Sequence, residues 1–210
     1  MGKVIRIKSV NNSAYLDLKN LFNEKLEKVD TKINERLDSD VELIKKMCDH
    51  HLSSGGKRLR ALLTLASSRI SGYELGNRDI NLAACVELIH SATLLHDDVI
   101  DKSDLRRGVK TTNHIWGNHS SVLVGDYLLS RCFELMVEDG DLEVLKLLSS
   151  TATKIAQGEV LQLQYMREAD LNEEIYLKII NMKTASLFSA ATKVGSIICN
   201  NNEKEKEALK

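Results

Sequence analysis

The sequence predicts an all-α chain, and three observations carry that prediction. There is no proline among the 210 residues. Aromatic residues make up only 4%. Leu, Ile, Ala, Lys and Glu recur at helical spacing, whereas strand formers are not arranged in period-2 runs. With 43% hydrophobic and 28% charged residues, the composition is that of a soluble globular chain long enough to bury a core. The 29 basic and 30 acidic residues leave a net charge of -1. That balance gives no reason to expect nucleic acid or a membrane surface as a partner, so any electrostatic function has to be local.

The elements follow in order. The opening "MGKVIRIKSVNNS" lacks the apolar stretch of a signal peptide, and Arg6 stands where a myristoylation pattern wants Ser or Thr. A first helix is predicted over about 14–37, where Leu18, Leu21, Phe22, Leu26, Val29, Ile33 and Leu37 share a face and Ser13 can cap it. A second runs over about 40–52 and is broken by "SSGGK". A third covers about 58–71 and stops at Gly72. The fourth, about 80–101 with Asp79 as its cap, is apolar nearly all round, which places it at the centre of a bundle. Residues 102–118 carry Gly108 and Gly117 and read as loop. Helices follow over about 119–137, 142–167 and 171–198, the last with Asp170 and Glu173 spaced as a capping box. "NNEKEKEALK" reads as a loop leading into a further helix, so residues 1–210 are expected to be a single all-α domain that is the N-terminal two-thirds of a longer one. No apolar run reaches the ~18 residues that a bilayer span needs.

Cys48, Cys85, Cys132 and Cys199 match no zinc spacing and no CxxC motif, and are expected as buried reduced thiols of a cytoplasmic protein.

Residues 96–108, "HDDVIDKSDLRRG", hold the feature that most needs explaining. Asp97, Asp98, Asp101 and Asp104 crowd the end of the oily helix, where the helix dipole already disfavours negative charge. Asp97 and Asp101 are spaced to share a face, and Asp98 can contribute from the side. Carboxylates presented to one point suit a hard divalent cation such as Mg²⁺, which takes one or two of them together with phosphates and water. The competing reading is a solvated acidic helix end. "GGKRLR", residues 55–60, sets Lys57, Arg58 and Arg60 after two glycines at a helix start, an arrangement that suits a diphosphate, although a basic cluster is also what a solvated face looks like. Arg106 and Arg107 form a second basic cluster. His90, two turns before Asp97, is either a satisfied core residue or a group within reach of a phosphate oxygen.

Three stretches, "GGKRLRALL", "ELIHSATLLHDDVIDKSDLRRG" and "KTASLFSAATKVG", together resemble the trans-isoprenyl (polyprenyl) diphosphate synthases over about residues 40–200. The likeness is greatest to the long-chain bacterial, octaprenyl type. The resemblance implies an all-α barrel of mostly antiparallel helices around a deep apolar cavity. It implies elongation of an allylic diphosphate, such as farnesyl diphosphate, by isopentenyl diphosphate. Lys57, Arg60, His90 and Arg107 would hold isopentenyl diphosphate. Asp97 and Asp101, with Asp98 assisting, would bind Mg²⁺ on the allylic diphosphate, which Arg106, Lys183 and Thr184 would also contact. The catalytic set would be Asp97, Asp98, Asp101, Arg106 and Lys183. Ser91, Ala92 and Thr93, small residues where bulky ones would stop the growing tail, imply a long product of the octaprenyl class. "GEVLQL", residues 158–163, would help line the tunnel. A homodimer in the cytoplasm is implied, with at most transient membrane association when product is released.

This sequence departs from the family pattern twice. Ala61 stands where the family usually has proline, at little expected cost. The family's second aspartate-rich motif is absent from the 210 residues, so this stretch alone is expected to bind weakly and turn over hardly at all. Three rival readings are weighed against the synthase. A non-catalytic subunit would not need to keep these charged residues. A terpene cyclase would need no second diphosphate site. A purely structural helical protein would need neither. A shorter-chain, geranylgeranyl-type product remains the alternative within the synthase reading.

Overall fold

The computed structural model of the chain describes residues 13–165 and 172–209. The N-terminal stripe forms two helices rather than one, α1 (Ser13–Leu21) and α2 (Asn23–Leu37). Phe22 between them has φ -109° and ψ 11°. Its ring is buried, so the single-residue kink is pinned by core packing that periodicity does not register. α3 (Glu42–Ser53) and α4 (Leu59–Ile70) flank the "GGK" turn as expected.

α5 (Arg78–Ile100) is the central helix. It packs on α2, on α4 and most extensively on α7 (Asn118–Asp139). Leu82, Leu88 and Leu95 are completely buried, each a contribution on the order of 2 kcal/mol. Asp79 is not its N-cap. Asn77 occupies that position, and Asp79 lies inside the first turn, fully buried. Its carboxylate pairs with Lys25 and accepts the Ile80 N–H at 2.9 Å.

Residues 102–118, expected as loop, contain structure. β1 (Leu105–Arg106) and β2 (Val109–Lys110) form an antiparallel hairpin, followed by α6 (Thr112–Trp116). The turn residues Arg107 and Gly108 have φ 54° and 80°, the left-handed pair that a two-residue hairpin turn requires. Beyond α7 come α8 (Leu142–Tyr165) and α9 (Glu173–Ile180), then a π-helical turn over Asn181–Ala185, then α10 (Ser186–Ile197) and α11 (Glu203–Ala208). The expected cap Asp170 falls outside the described residues. Asn172 is the N-cap of α9, its side chain accepting the Ile175 N–H at 2.9 Å. Asn202 and Glu205 close a capping box on α11.

All four cysteines are free thiols. Cys48, Cys85 and Cys132 are buried and Cys199 is partly exposed. Among the described residues, no helix is long and apolar enough to cross a membrane.

Candidate active site

One face of α5 organises the site. His90, Leu94, Asp97 and Asp101 follow one another at helical spacing, and all four escape full burial. At 1.5 Å per residue, His90 and Asp97 stand about 10 Å apart along the axis. A basic cavity opens at the His90 end and a carboxylate–lysine cluster sits at the Asp97 end.

The basic cavity has a volume of about 420 Å³. Its walls are the last turn of α3, the Gly55–Gly56–Lys57 turn, the start of α4, the hairpin arginines and Phe188 of α10. Lys57, Arg60, His90, Arg106 and Arg107 all line it, so the basic groups of "GGKRLR" and "RRG" meet His90 at one place. The local chemistry explains how they get there. A Cβ on Gly56 would lie 3.0 Å from Arg107 Nη1, so glycine here lets that guanidinium lie close against the turn. Lys57 is fixed through its backbone, whose carbonyl accepts the Tyr15 hydroxyl at 3.0 Å. The Arg60 guanidinium lies 4.3 Å from the centre of the Phe188 ring, and its Nε is buried without a hydrogen-bond partner. Burial pulls the Arg60 pKa below its ordinary value, and the charge on Glu87 opposes that pull.

Arg58, the third cation of "GGKRLR", does a different job. It adopts φ 48° at the N-cap of α4 and turns its Nε to Asp30 at 2.8 Å, with Nη1 3.5 Å from Glu87. Glu87 also accepts the Ala61 N–H at 3.0 Å. A proline at position 61 would have no such donor. Its replacement by alanine therefore exposes no unsatisfied group, because Glu87 takes up the extra N–H.

The hairpin is held from several sides. Thr111 donates from its N–H to Asp104 O at 3.0 Å and from its hydroxyl to Ser103 O at 2.7 Å. A His50 ring nitrogen lies 2.7 Å from Lys110 O. Arg106 reaches back to Asp98 with Nη2 at 2.7 Å and Nε at 3.0 Å from Oδ1.

That last pair alters the reading of the aspartates. The sequence reading brings Asp98 to the metal from the side. In the structure Asp98 points into the hairpin packing, its side chain 3% exposed, and both carboxylate oxygens are within hydrogen-bond distance of Arg106. Asp98 lies 100° round the helix from Asp97, and its carboxylate is engaged by Arg106 instead of joining Asp97 and Asp101. Arg106 lines the cavity while its charge is largely met by Asp98.

At the other end, Lys183 Nζ lies 2.7 Å from Glu159 Oε1, 3.3 Å from Gln162 Oε1 and 3.6 Å from Asp97 Oδ2. The π-helical turn carries Lys183 here, with exposed Thr184 beside it. Gly158 permits the approach, since a Cβ there would sit 3.0 Å from the backbone nitrogen of Lys183. Burial pushes the Glu159 carboxyl up to about 7. The ammonium of Lys183 pulls against it, and the charge of Asp97 adds to the rise. Burial works against the charge on Lys183, yet Glu159, Asp97 and Asp101 hold its pKa above the ordinary value.

Glu159 and Gln162 were missed because "GEVLQL" reads as an apolar tunnel wall. Their i, i+3 spacing on an otherwise apolar stretch was the available signal. Val160 in that stretch is 65% exposed.

Among the described residues, no three His, Cys, Asp or Glu side chains are grouped to hold a metal ion. Asp97 Oδ1 is nonetheless buried without any hydrogen-bond partner. An orphaned carboxylate oxygen beside a second carboxylate, Asp101 one turn on, fits a hard divalent cation that completes its shell with phosphate and water. Of the residues expected to set product length, Ser91 lines the basic cavity, Ala92 is completely buried in the core, and the Thr93 hydroxyl donates to His90 O at 2.7 Å.

The family model described as polyprenyl synthetase matches residues 41–210. The chain is 45% identical over 181 residues to octaprenyl diphosphate synthase of Escherichia coli (strain K12), covering 86% of this chain and 56% of that protein. It is 42% identical over 175 residues to the all-trans-nonaprenyl-diphosphate synthase (geranyl-diphosphate specific) of Rhodobacter capsulatus, covering 83% and 54%. Among solved structures, it is similar to a polyprenyl synthase from Caulobacter crescentus CB15 complexed with calcium and isoprenyl diphosphate. That match has a TM-score of 0.90 at 44% identity, over 93% of this chain and 59% of that one. A decaprenyl diphosphate synthase from Rhodobacter capsulatus gives a TM-score of 0.89 at 46% identity, over 93% and 60%. The chain spans a little over half the length of the curated relatives it matches.

Proposed function

The chain belongs to the polyprenyl synthetase family, and on that premise we propose that the protein is a trans-prenyltransferase that condenses an allylic diphosphate with isopentenyl diphosphate, with an octaprenyl-class product. The observation that carries this reading is the pairing of two different anion-binding environments on one face of α5. The basic cavity around Lys57, Arg60, His90 and Arg107 suits the diphosphate of isopentenyl diphosphate. Asp97, Asp101 and Lys183 suit the diphosphate of the allylic substrate, which becomes the leaving group.

The reaction asks for charge stabilisation and positioning, not for a protein nucleophile. Cleavage of the allylic C–O bond places negative charge on the departing diphosphate. A divalent ion, Mg²⁺ on this reading, held by Asp97 and Asp101 would supply Lewis-acid stabilisation of that charge. Lys183 meets the same oxygens with a fixed positive charge. The cavity residues hold isopentenyl diphosphate so that its double bond faces the allylic carbon, and the lost proton passes to diphosphate oxygen. Small side chains at Ser91, Ala92 and Thr93, with the long-chain names of the relatives, support an octaprenyl-class product over a short one. A cytoplasmic homodimer completes the proposal.

The test compares the complete protein with its Asp97→Ala and Asp101→Ala variants. Incorporation of labelled isopentenyl diphosphate should fall at least a hundredfold, while the far-ultraviolet circular dichroism stays unchanged. Variants as active as the parent would remove the leaving-group role from these two residues.

A further inference from the structure

Two imidazoles face the basic cavity, and the family resemblance accounts for only one of them. His51, in the last turn of α3, lines the cavity opposite His90. Among the described residues, neither side chain has a hydrogen bond or ion pair to any protein group. Each ring therefore keeps donor and acceptor capacity that no protein group fills. The neighbour of His51 on the same helix shows the ordinary arrangement, with a His50 ring nitrogen 2.7 Å from Lys110 O. We propose that His51 is a further ligand of the diphosphate that enters this cavity, contributing a hydrogen bond from the α3 side. The proposal rests on the reading of the cavity as a diphosphate site.

The charges around His51 say what that contact does. From the hairpin, Arg106, Arg107 and Lys110 face it, and Asp98 of α5 lines a small cavity with it. From the turn before α4 come Lys57 and Arg58, and from α4 itself Arg60. α5 presents Glu87 and His90, and His50 lies beside it on α3. Burial and the positive charges of Arg106, Arg58 and Arg107 hold the His51 pKa down to about 4, so the ring is neutral at pH 7. An incoming diphosphate reverses the sign of that field. It supplies the missing acceptor and favours the protonated ring. Binding therefore takes up protons from solvent, and affinity falls as pH rises through the pKa of the bound state. A merely structural histidine would leave both quantities alone.

The experiment is calorimetric titration of inorganic diphosphate, without metal, into the complete protein at pH 6.5. Two buffers of different ionisation enthalpy report the protons taken up. Losing one hydrogen bond to a charged group in His51→Ala should weaken binding about tenfold and reduce the proton uptake. His51→Gln, which keeps a donor but cannot be protonated, should recover most of the affinity and none of the uptake. Parental affinity and parental uptake in His51→Ala would overturn the proposal. If that variant does not fold, His51→Gln decides alone, and unchanged uptake there would overturn it equally. A parent protein that binds no diphosphate would instead bring down the functional reading of the cavity, and this proposal with it.

Discussion

Replacing Asp98 by asparagine separates two accounts of the acidic helix end. If the aspartates were one mutually repelling set waiting for metal, removing a charge would stabilise the metal-free protein. The structure predicts the opposite. Asp98 is 3% exposed, and Arg106, 29% exposed, places Nε and Nη2 within 3.1 Å of its oxygens. Asparagine keeps the shape and one acceptor. It loses one charge-assisted hydrogen bond and turns an NH₂ group towards a guanidinium. The backbone carbonyl, which accepts from Ser103 N at 2.9 Å and from Asn113 Nδ2 at 3.2 Å, is untouched. A hydrogen bond to a charged group contributes about 1.5–3 kcal/mol, and the partial exposure of Arg106 argues for the middle of that range, about 2 kcal/mol. At an unfolding entropy of about 2.1 cal/mol/K per residue, a chain of this length should lose about 5 °C in Tm. Thermal unfolding followed by circular dichroism in EDTA measures it. An unchanged or higher Tm would refute the view that Asp98 clamps the hairpin.

Two more outcomes follow from the same geometry. His90 and His51 are held down to about 3 and about 4 by burial and neighbouring cations, below the unfolded value near 6.5. The unfolded state therefore binds more protons below pH 6.5, and folded stability should fall as pH drops from 6.5 towards 4. The loss is on the order of 2 kcal/mol per histidine at pH 5, and a His90→Gln variant should show a shallower slope in urea titrations across that range. Ala92 is fully buried, so Ala92→Phe must displace neighbours at a cost of about 1–3 kcal/mol. In the complete protein it should shorten the product, and an unaltered product distribution would remove chain-length control from this position.

Much of the architecture is legible in the sequence because its cause is local. The oily run from Ile80 to Leu95 has no polar face, and a helix without one has to lie at the centre, where α5 is found. Asp97 and Asp101 share a face by spacing alone. Their neighbour Asp98 could not be placed in the same way, because its partner Arg106 reaches it through a hairpin of two-residue strands too short to leave a pattern. The π-helical turn that delivers Lys183 shifts the helical register by a single residue, which apolar periodicity cannot resolve over five positions. Glu159 was hidden by its company. In "GEVLQL" the polar residues looked incidental to an apolar stripe, although they are the groups that touch Lys183. Asp79 looked like a cap because caps are common at such positions, yet Lys25, more than fifty residues earlier, gives it a buried ion pair instead. For Asp98, Glu159 and Asp79 the missing information is a contact that helical periodicity does not reach.

The central claim is that one face of α5 serves two diphosphates, one held by cations and one through divalent metal. Incubating the complete protein with farnesyl diphosphate, labelled isopentenyl diphosphate and Mg²⁺, then sizing the labelled lipid, tests it most directly. The account predicts an octaprenyl-class product that disappears when EDTA replaces Mg²⁺. Label that stays in isopentenyl diphosphate with Mg²⁺ present, in a protein shown to be folded, would contradict it.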